Sequence, residues 1–315
     1  MLLALLAVVA GLVLLTKAAD AFVAGAARLS AALNVPPVII GAVVVGFGTS
    51  APEMVVSGIA STQGKLDIAA GNIIGSNVAN LTLVLGISAL LCTMTISPGV
   101  LRREAPLSVG SVVLFAVFIQ DGLERWEGLV LFLALLGALG FLFLGSRDGS
   151  DELVSEVDEF LEDEESISTG REALRTIVGL VGVMGGAQLA VWGASDIADR
   201  LDLAEGFIGL TLIALGTSLP ELVTAIAAAR KNEHELIVGN LLGSNMFNSL
   251  AVGATAGLLG PGPLEDDILA GSGTIIMLGV AFGAWLFMFT GRKLSNTEAI
   301  TLLAAYVVTV PLLAG

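Results

Sequence analysis

The sequence predicts an all-α membrane protein with ten transmembrane helices, arranged as two inverted five-helix repeats whose second and seventh helices are broken. Three observations support this prediction. Of the 315 residues, 55% are hydrophobic and only 14% are charged, whereas soluble domains carry about a quarter charged residues. Apolar stretches of about 20 residues, each long enough to cross a membrane as a helix, recur along the chain. A polar motif that contains proline interrupts two of these stretches at related positions.

The apolar stretches define ten predicted spans. They are Leu2–Leu29, Val38–Ser61, Ile68–Met94, Pro106–Ile119, Gly128–Leu144, Leu174–Ile197, Gly206–Ala229, Leu236–Leu259, Ile268–Phe289 and Ala299–Leu313. We therefore expect a first five-helix repeat over residues 1–145 and a second over residues 171–315. Between them, residues 146–170 are predicted to form an acidic cytoplasmic loop. This loop lacks the ligand spacing of an EF-hand, so we interpret it as a solvated linker.

The positions of the basic residues predict the orientation in the membrane. With the N-terminus outside, ten of the fourteen Lys and Arg residues fall on inner loops or inner helix ends, and Lys65, Arg125 and Arg200 fall outside. Cytoplasmic loops carry an excess of Lys and Arg. We therefore expect a multi-pass protein of the plasma membrane with both termini extracellular.

An internal repeat relates the two halves. GTSAPE at 48–53 and GTSLPE at 216–221 lie 168 residues apart, and the same offset relates GSN at 75–77 to GSN at 243–245. Because each half contains five spans, the second half enters the membrane from the opposite side, which makes the repeat inverted. Inverted repeats are typical of alternating-access transporters whose substrate sites lie near the middle of the membrane.

Both motifs place a proline and a carboxylate inside a span. Pro52 and Pro220 have no backbone N–H for the carbonyl four residues earlier, so each is expected to break its helix and free backbone oxygens. The acids that follow, Glu53 and Glu221, have almost no fixed cation available, because only Lys17 among the basic residues lies well inside a span. Such acids are stable in a membrane when they are protonated or when a mobile cation neutralises them.

Oxygen-bearing side chains accompany both acids. Hydroxyl residues precede each acid, and Ser and Asn residues four positions apart share one face of the third and eighth helices; the full set is Thr49, Ser50, Thr217, Ser218, Ser76, Asn80, Ser244 and Asn248. A shell of carboxylate, hydroxyl and carbonyl oxygens suits hard cations, Ca²⁺ above all, whereas a transition metal would recruit His or Cys. The single histidine, His234, is predicted to be a solvated residue of an inner loop.

The paired motifs resemble those of a known family. GTSAPE with GNIIGSNVAN, and GTSLPE with GNLLGSNMFN, resemble the α-repeats of the cation/Ca²⁺ exchanger superfamily, and specifically its prokaryotic sodium/calcium exchanger branch. The resemblance extends over the whole chain. It implies a secondary active antiporter, and no enzyme, that exchanges Na⁺ for Ca²⁺ by alternating access and normally extrudes Ca²⁺. It also implies that the first and sixth helices slide as a pair against the remaining helices.

The resemblance further implies a role for each candidate site residue. Ca²⁺ would be bound by Glu53 and Glu221 with Thr49 and Thr217; Na⁺ by Ser50, Ser218, Ser76, Ser244 and the carbonyls around Phe47 and Leu215; and Asn80 and Asn248 would complete the middle of the site. Some relatives carry Asp at the position of Asn248, which argues against K⁺ co-transport here.

Three alternatives to Na⁺/Ca²⁺ antiport remain open. The first is H⁺-coupled exchange of Ca²⁺ or another divalent cation, and the second is a cation channel that uses the two acids as a selectivity ring. The third is a membrane enzyme, for which the sequence offers no credible pair of nucleophile and base. The expected partners are Ca²⁺ and Na⁺ as transported ions and the lipid bilayer. We expect no cofactor and no nucleic acid, and we treat the chain as a monomer.

Overall fold

The computed structural model describes residues 1–32, 50–145, 169–232 and 234–312, and most of them are helical. The α-helices are α1 (Leu2–Ala32), α2 (Ala51–Thr62), α3 (Leu66–Ala79), α4 (Leu85–Leu91), α5 (Pro98–Arg102), α6 (Glu104–Phe118), α7 (Arg125–Gly145), α8 (Thr169–Leu201), α9 (Glu205–Ile208), α10 (Ala214–Thr217), α11 (Leu219–Lys231), α12 (His234–Phe247), α13 (Gly253–Leu259), α14 (Thr274–Gly291) and α15 (Asn296–Leu312). Shorter elements are a 3₁₀ turn, Ile119–Asp121, and the strands β1 (Met94–Thr95) and β2 (Lys293–Leu294). Four π-helical turns, Asn80–Val84, Gly209–Ile213, Asn248–Val252 and Leu269–Gly273, join successive helical segments.

Seven helical stretches among the described residues are long and apolar enough to cross a membrane. They are Leu2–Ala26, Leu66–Leu91, Pro98–Asp121, Arg125–Leu142, Thr169–Leu201, Glu205–Arg230 and Leu269–Gly291. These stretches coincide with the first, the third to seventh and the ninth predicted spans. The eighth and tenth predicted spans coincide with helical residues 234–259 and 296–312, and the second lies partly outside the described residues. The chain is therefore a mainly helical membrane protein.

The element bounds repeat at the 168-residue offset of the motifs. The helix α3 covers residues 66–79 and α12 covers 234–247. Each is followed by a π-helical turn, Asn80–Val84 or Asn248–Val252, and then by the helices α4 and α13, again 168 residues apart. Such widened turns often occur at functional sites. Equivalent segments of the two halves thus adopt the same irregular backbone.

The predicted break of the seventh span lies at Ser218. The helix α10 ends at Thr217, and α11 begins at Leu219 with Pro220 in its first turn. Because Pro220 has no N–H, the hydrogen-bond ladder does not continue through it. In the first half α2 begins at Ala51 with proline in its first turn, and the preceding residues 33–49 lie outside the described part of the chain.

The two longest helices, α1 and α8, pack against each other in antiparallel directions. A Cβ atom at Gly11 would lie 2.7 Å from the backbone nitrogen of Ala190, and one at Gly179 would lie 2.6 Å from that of Phe22. No side chain fits at such distances, so these glycines allow the two backbones to touch. Because an early residue of α1 meets a late residue of α8, the helices run in opposite directions.

A short antiparallel ladder joins two linkers at one end of the molecule. Met94 pairs with Leu294 and Thr95 with Lys293. The predicted environment of His234 is wrong in part: this residue begins α12, is half-buried, and its Nδ1 accepts a hydrogen bond from the backbone N–H of Thr95 at 3.4 Å. The local sequence did not reveal this contact because it joins residues 139 positions apart.

Candidate ion-binding site

Two carboxylates form the centre of the candidate site. Glu53 in the first turn of α2 and Glu221 in the first turn of α11 are both 0% exposed. Their carboxyl groups are close enough for their charges to repel each other. Thr217 and Ser218 lie beside Glu53, and Ser244 lies beside Glu221. Nevertheless, no carboxylate oxygen of either acid has a hydrogen-bond partner of ordinary geometry among the described residues.

Each acid lies at the positive end of a helix. Pro52 and Pro220 occupy the first turns of α2 and α11, so the helices begin just before Glu53 and Glu221 and direct free N–H groups toward this region. A carboxylate near a helix N-terminus gains about 0.3–1 kcal/mol. Burial of an ionised group costs several kcal/mol. The helix dipoles therefore offset only part of the cost, and protonation of the acids or a bound cation would offset the rest.

The predicted hydroxyl and amide ligands are buried as well. Exposures between 0% and 3% are found for Ser50, Ser76, Asn80, Thr217, Ser218, Ser244 and Asn248. Several of their polar atoms have no hydrogen-bond partner among the described residues, namely the Oγ atoms of Ser50, Ser76 and Ser218, the Oδ1 of Asn80 and both amide atoms of Asn248. Because such orphaned atoms are rare in folded proteins, a concentration of them favours a site that binds a ligand.

Three predicted ligands differ from this group. Thr49 and Phe47 lie outside the described residues. The third, Leu215, belongs to α10, and its side chain is 39% exposed. Only its backbone carbonyl is therefore a candidate ligand, as the sequence analysis expected.

Asn72, which was not among the predicted ligands, contacts residues of the candidate site. Its Nδ2 donates to the backbone oxygen of Glu53 at 3.4 Å and to Ser57 Oγ at 3.0 Å. Its Oδ1 accepts a hydrogen bond from Thr217 Oγ1 at 3.1 Å. Asn72 thus holds the first turn of α2 against the end of α10. Asn72 is repeated as Asn240 at the same offset as the two acids, and this repetition was the sequence signal that could have identified it.

A second set of amide contacts joins α3 to α12. Asn80 Nδ2 donates to Asn245 Oδ1 at 3.1 Å, and Asn245 Nδ2 donates to the backbone oxygen of Asn77 at 3.0 Å. Asn77 Nδ2 in turn donates to Ser249 Oγ at 3.1 Å. These bonds cross between the two repeats beside the π-helical turns. Asn77 and Asn245, which belong to the repeated GSN motif, are positioning residues that sequence reasoning also missed.

The donor set suits a hard cation. No group of three or more His, Cys, Asp and Glu side chains converges among the described residues. The charged groups of the candidate site are the two glutamates, and buried Ser, Thr and Asn side chains add neutral oxygens. Ca²⁺ and Na⁺ accept such oxygen ligands, whereas a transition metal favours imidazole or thiolate.

Comparison with known proteins gives a consistent result. The family model described as sodium/calcium exchanger protein matches residues 3–144 and 172–314. The putative antiporter CaxA of Alkalimonas amylolytica is 36% identical over 98% of this chain and 97% of its own. The sodium/calcium exchanger MaX1 of Methanosarcina acetivorans is 29% identical over 94% of each chain.

A solved structure supports the same assignment. The sodium-calcium exchanger NCX_Mj, soaked with 10 mM Na⁺ and 10 mM Sr²⁺, is 30% identical and matches with a TM-score of 0.66 over 98% of each chain. The fold, the paired acidic motifs and the match along nearly the whole length agree. The chain belongs to the sodium/calcium exchanger protein family.

Proposed function

We propose that the protein is a secondary active antiporter that exchanges Na⁺ for Ca²⁺ across the cell membrane by alternating access and normally extrudes Ca²⁺. One observation above all supports this proposal. Glu53 and Glu221 are fully buried, repel each other, and have no ion-pair partner among the described residues. The relatives MaX1 and NCX_Mj, which are sodium/calcium exchangers by name, support the choice of ions.

Charge balance explains how one site would couple the two ions. One Ca²⁺ neutralises two ionised glutamates, and Na⁺ ions bound at overlapping positions do the same. Without a cation, two like charges remain in a medium of low dielectric constant, where their repulsion and desolvation are costly. A site without a bound cation is therefore expected to resist occlusion from water. Reorientation is therefore favoured when the site is loaded, which converts a binding site into an exchanger.

We assign the ligand roles as follows. Glu53, Glu221, Thr217 and Thr49 bind Ca²⁺; Ser50, Ser218, Ser76, Ser244 and the carbonyls around Phe47 and Leu215 provide Na⁺ positions; and Asn80 and Asn248 complete the middle of the site. The orphaned hydroxyl and amide atoms of this set support the assignment. A neutral residue at Asn248 keeps the fixed charge at two, which favours exchange without K⁺.

We infer ten transmembrane helices in two inverted repeats, residues 1–145 and 171–315, joined by an acidic cytoplasmic loop at 146–170. Equivalent helices of an inverted repeat cross the membrane in opposite directions. The antiparallel packing of α1 and α8, which occupy equivalent positions in the two halves, supports inversion. The distribution of Lys and Arg supports extracellular termini. The proposed transport unit is a monomer without a cofactor.

The pair formed by α1 and α8 is the proposed moving element. Its glycines allow the backbones of α1 and α8 to touch, which holds the two helices together. The pair would slide as a unit past the helices that hold the ligands. In this proposal the hydrogen bonds of Asn72, Asn77 and Asn245 keep the ligand-bearing helices together during the movement.

Ion flux in reconstituted vesicles tests the proposal. Vesicles that contain the protein are loaded with Na⁺ and diluted into Na⁺-free medium with ⁴⁵Ca²⁺. We expect Ca²⁺ uptake that requires the outward Na⁺ gradient. Uptake that proceeds without any counter-ion gradient would indicate a channel and would overturn the proposal.

Proton coupling is the second candidate function. It is favoured by the same observation, because two repelling carboxylates without fixed cations also bind protons. The same vesicles distinguish the two functions. Uptake driven equally well by a pH gradient in the absence of Na⁺ would transfer the assignment to H⁺-coupled exchange.

A further inference from the structure

An open cavity lies away from the ion site, where two membrane spans end. It has a volume of about 390 Å³ and is lined by Pro98, Leu101, Arg102, Phe289 and Arg292. The first three residues belong to α5, at the start of the span Pro98–Asp121, and the last two lie at the end of the span Leu269–Gly291. Span ends lie near the polar headgroups of a bilayer. The cavity is therefore at headgroup depth.

The cavity carries two positive charges without a fixed counter-ion. The side chains of Arg102 and Arg292 are exposed, and neither forms an ion pair with a carboxylate among the described residues. None of the described residues that line the cavity is acidic. Two guanidinium groups that face one cavity repel each other. An anion between them would relieve this repulsion, and the planar guanidinium fork matches phosphate well.

The backbone at Arg292 has an unusual conformation. Arg292 caps α14 in the left-handed conformation, with φ 49° and ψ 28°. Glycine is preferred at this position of a helix end because a side chain is disfavoured there. The backbone is held by a hydrogen bond from the N–H of Ile96 to the Arg292 oxygen at 2.8 Å, next to the β1–β2 ladder. Glycine would therefore fit the local backbone geometry at this position without strain.

We propose that this cavity binds the phosphate group of an anionic phospholipid from the adjoining leaflet. Pro98, Leu101 and Phe289 give the cavity apolar walls beside the two charges. Phe289 is 65% exposed at the end of a membrane span, so its ring adjoins the region where acyl chains begin. This combination of apolar wall and paired arginines fits a lipid headgroup better than free phosphate. The bound lipid would join the ends of two spans from different repeats.

Binding of soluble short-chain lipids to the full chain in detergent tests the proposal. The probes are dihexanoyl-phosphatidylglycerol, dihexanoyl-phosphatidylcholine and inorganic phosphate, and the thermal unfolding midpoint reports binding. The variants are Arg102→Gln, Arg292→Gly and, as a matched control, Lys293→Gln, which removes a neighbouring exposed charge that does not line the cavity. Arg292→Gly also removes the backbone strain, so it is expected to fold even if Arg102→Gln does not.

We expect phosphatidylglycerol to raise the midpoint of the native chain, and phosphatidylcholine and inorganic phosphate to leave it unchanged. Loss of one charge-assisted contact should weaken phosphatidylglycerol binding about tenfold for Arg102→Gln or Arg292→Gly. Lys293→Gln should weaken it by about fivefold at most, through general surface charge. Equal losses in all three variants would overturn the proposal, as would equal binding of the two lipids or full competition by inorganic phosphate.

Discussion

The two halves of the candidate ion site share a sequence pattern but differ in their hydrogen bonds among the described residues. In the first half, Asn80 donates from its Nδ2 to Asn245. Its repeat partner Asn248 has no partner for either amide atom among the described residues. Asn72 Nδ2 likewise donates to two oxygens, whereas Asn240 Nδ2 has no partner within the described part of the chain. The asparagines themselves are repeated, but their surroundings are not identical: Ser57, which accepts from Asn72, corresponds to Ala225 in the second half.

This difference suggests how a symmetric sequence supports an asymmetric state. An alternating-access protein with inverted repeats has two opposite arrangements in which the halves exchange their local environments. In such a protein, repeat-related asparagines are expected to exchange hydrogen-bond partners between the two arrangements. In any single conformation, Asn80 and Asn248 are therefore expected to form different hydrogen bonds. The following predictions test this comparison.

The largest loss of Ca²⁺ flux is expected at the two glutamates, which are equally buried in both halves. Glu53→Gln and Glu221→Gln each remove one of the two charges of the proposed cation site, and loss of one partner of a buried charge pair costs about 3–5 kcal/mol. Ca²⁺ flux into Na⁺-loaded vesicles should fall by about a hundredfold or more in both variants. Near-normal flux in either variant would remove that residue from the site. The exposed Glu235→Gln serves as the control and should retain flux.

Asn80 and Asn248 should respond differently to the same change. Asn80→Asp removes the N–H donor and sets a carboxylate oxygen against the oxygen of Asn245, so it should lower the free energy of unfolding by about 1–3 kcal/mol. Asn248→Asp breaks no hydrogen bond within the described residues and should be tolerated. Thermal unfolding of both variants in detergent, with saturating Ca²⁺, measures the difference. Equal destabilisation would show that the two asparagines are equivalent.

The repeated glycines offer a test of packing. A Cβ atom at Gly71 would lie 2.8 Å from the backbone nitrogen of Leu210 and closer still to the carbonyl oxygen of Gly206. Gly71→Ala should therefore destabilise the protein by about 1–3 kcal/mol. At the equivalent Gly239 the nearest described atom is Glu104 Oε2 at 3.4 Å, so Gly239→Ala should be neutral. The unfolding midpoints of both variants check this. A larger loss at Gly239 would contradict the expected asymmetry.

The smallest effect is expected at the asparagine that joins α2 to α10. Asn72→Ala leaves Ser57 and Thr217 without their amide partner and should cost about 1 kcal/mol. Ca²⁺ binding should also weaken a few-fold, because Thr217 is no longer held beside Glu53. Asn240→Ala should have less effect on both quantities. Equilibrium Ca²⁺ binding and thermal unfolding separate the two variants; identical results would mean that the Asn72 contacts are unimportant.

Much of the fold was predictable because the spans are long and apolar and because proline breaks a helix wherever it falls. The break at Ser218 and the burial of both glutamates agree with prediction. The π-helical turns at Asn80 and Asn248 did not follow from the sequence, since neither segment contains Gly or Pro. Their widened backbone lies beside amide bonds between helices that are far apart in the chain.

The sequence and the family resemblance named candidate ligands, whereas neither named the residues that support them. The candidates, Glu53, Glu221 and their hydroxyl neighbours, stand out by charge and hydroxyl content. The supporting role of Asn72 depends on Ser57 and Thr217, which lie 15 and 145 residues away, so it required the tertiary structure. Asn77 and Asn245 act in the same way, through partners 172 and 168 residues away. Repetition at the common offset was the available signal for both sets.

We propose that Na⁺ and Ca²⁺ neutralise the same pair of buried acids. The most direct test is equilibrium binding of ⁴⁵Ca²⁺ to the purified protein in detergent while Na⁺ replaces choline at constant ionic strength. We predict that Na⁺ displaces Ca²⁺ until no bound ⁴⁵Ca²⁺ remains. Ca²⁺ binding that is unchanged by Na⁺ would place the two ions at independent sites and contradict the account.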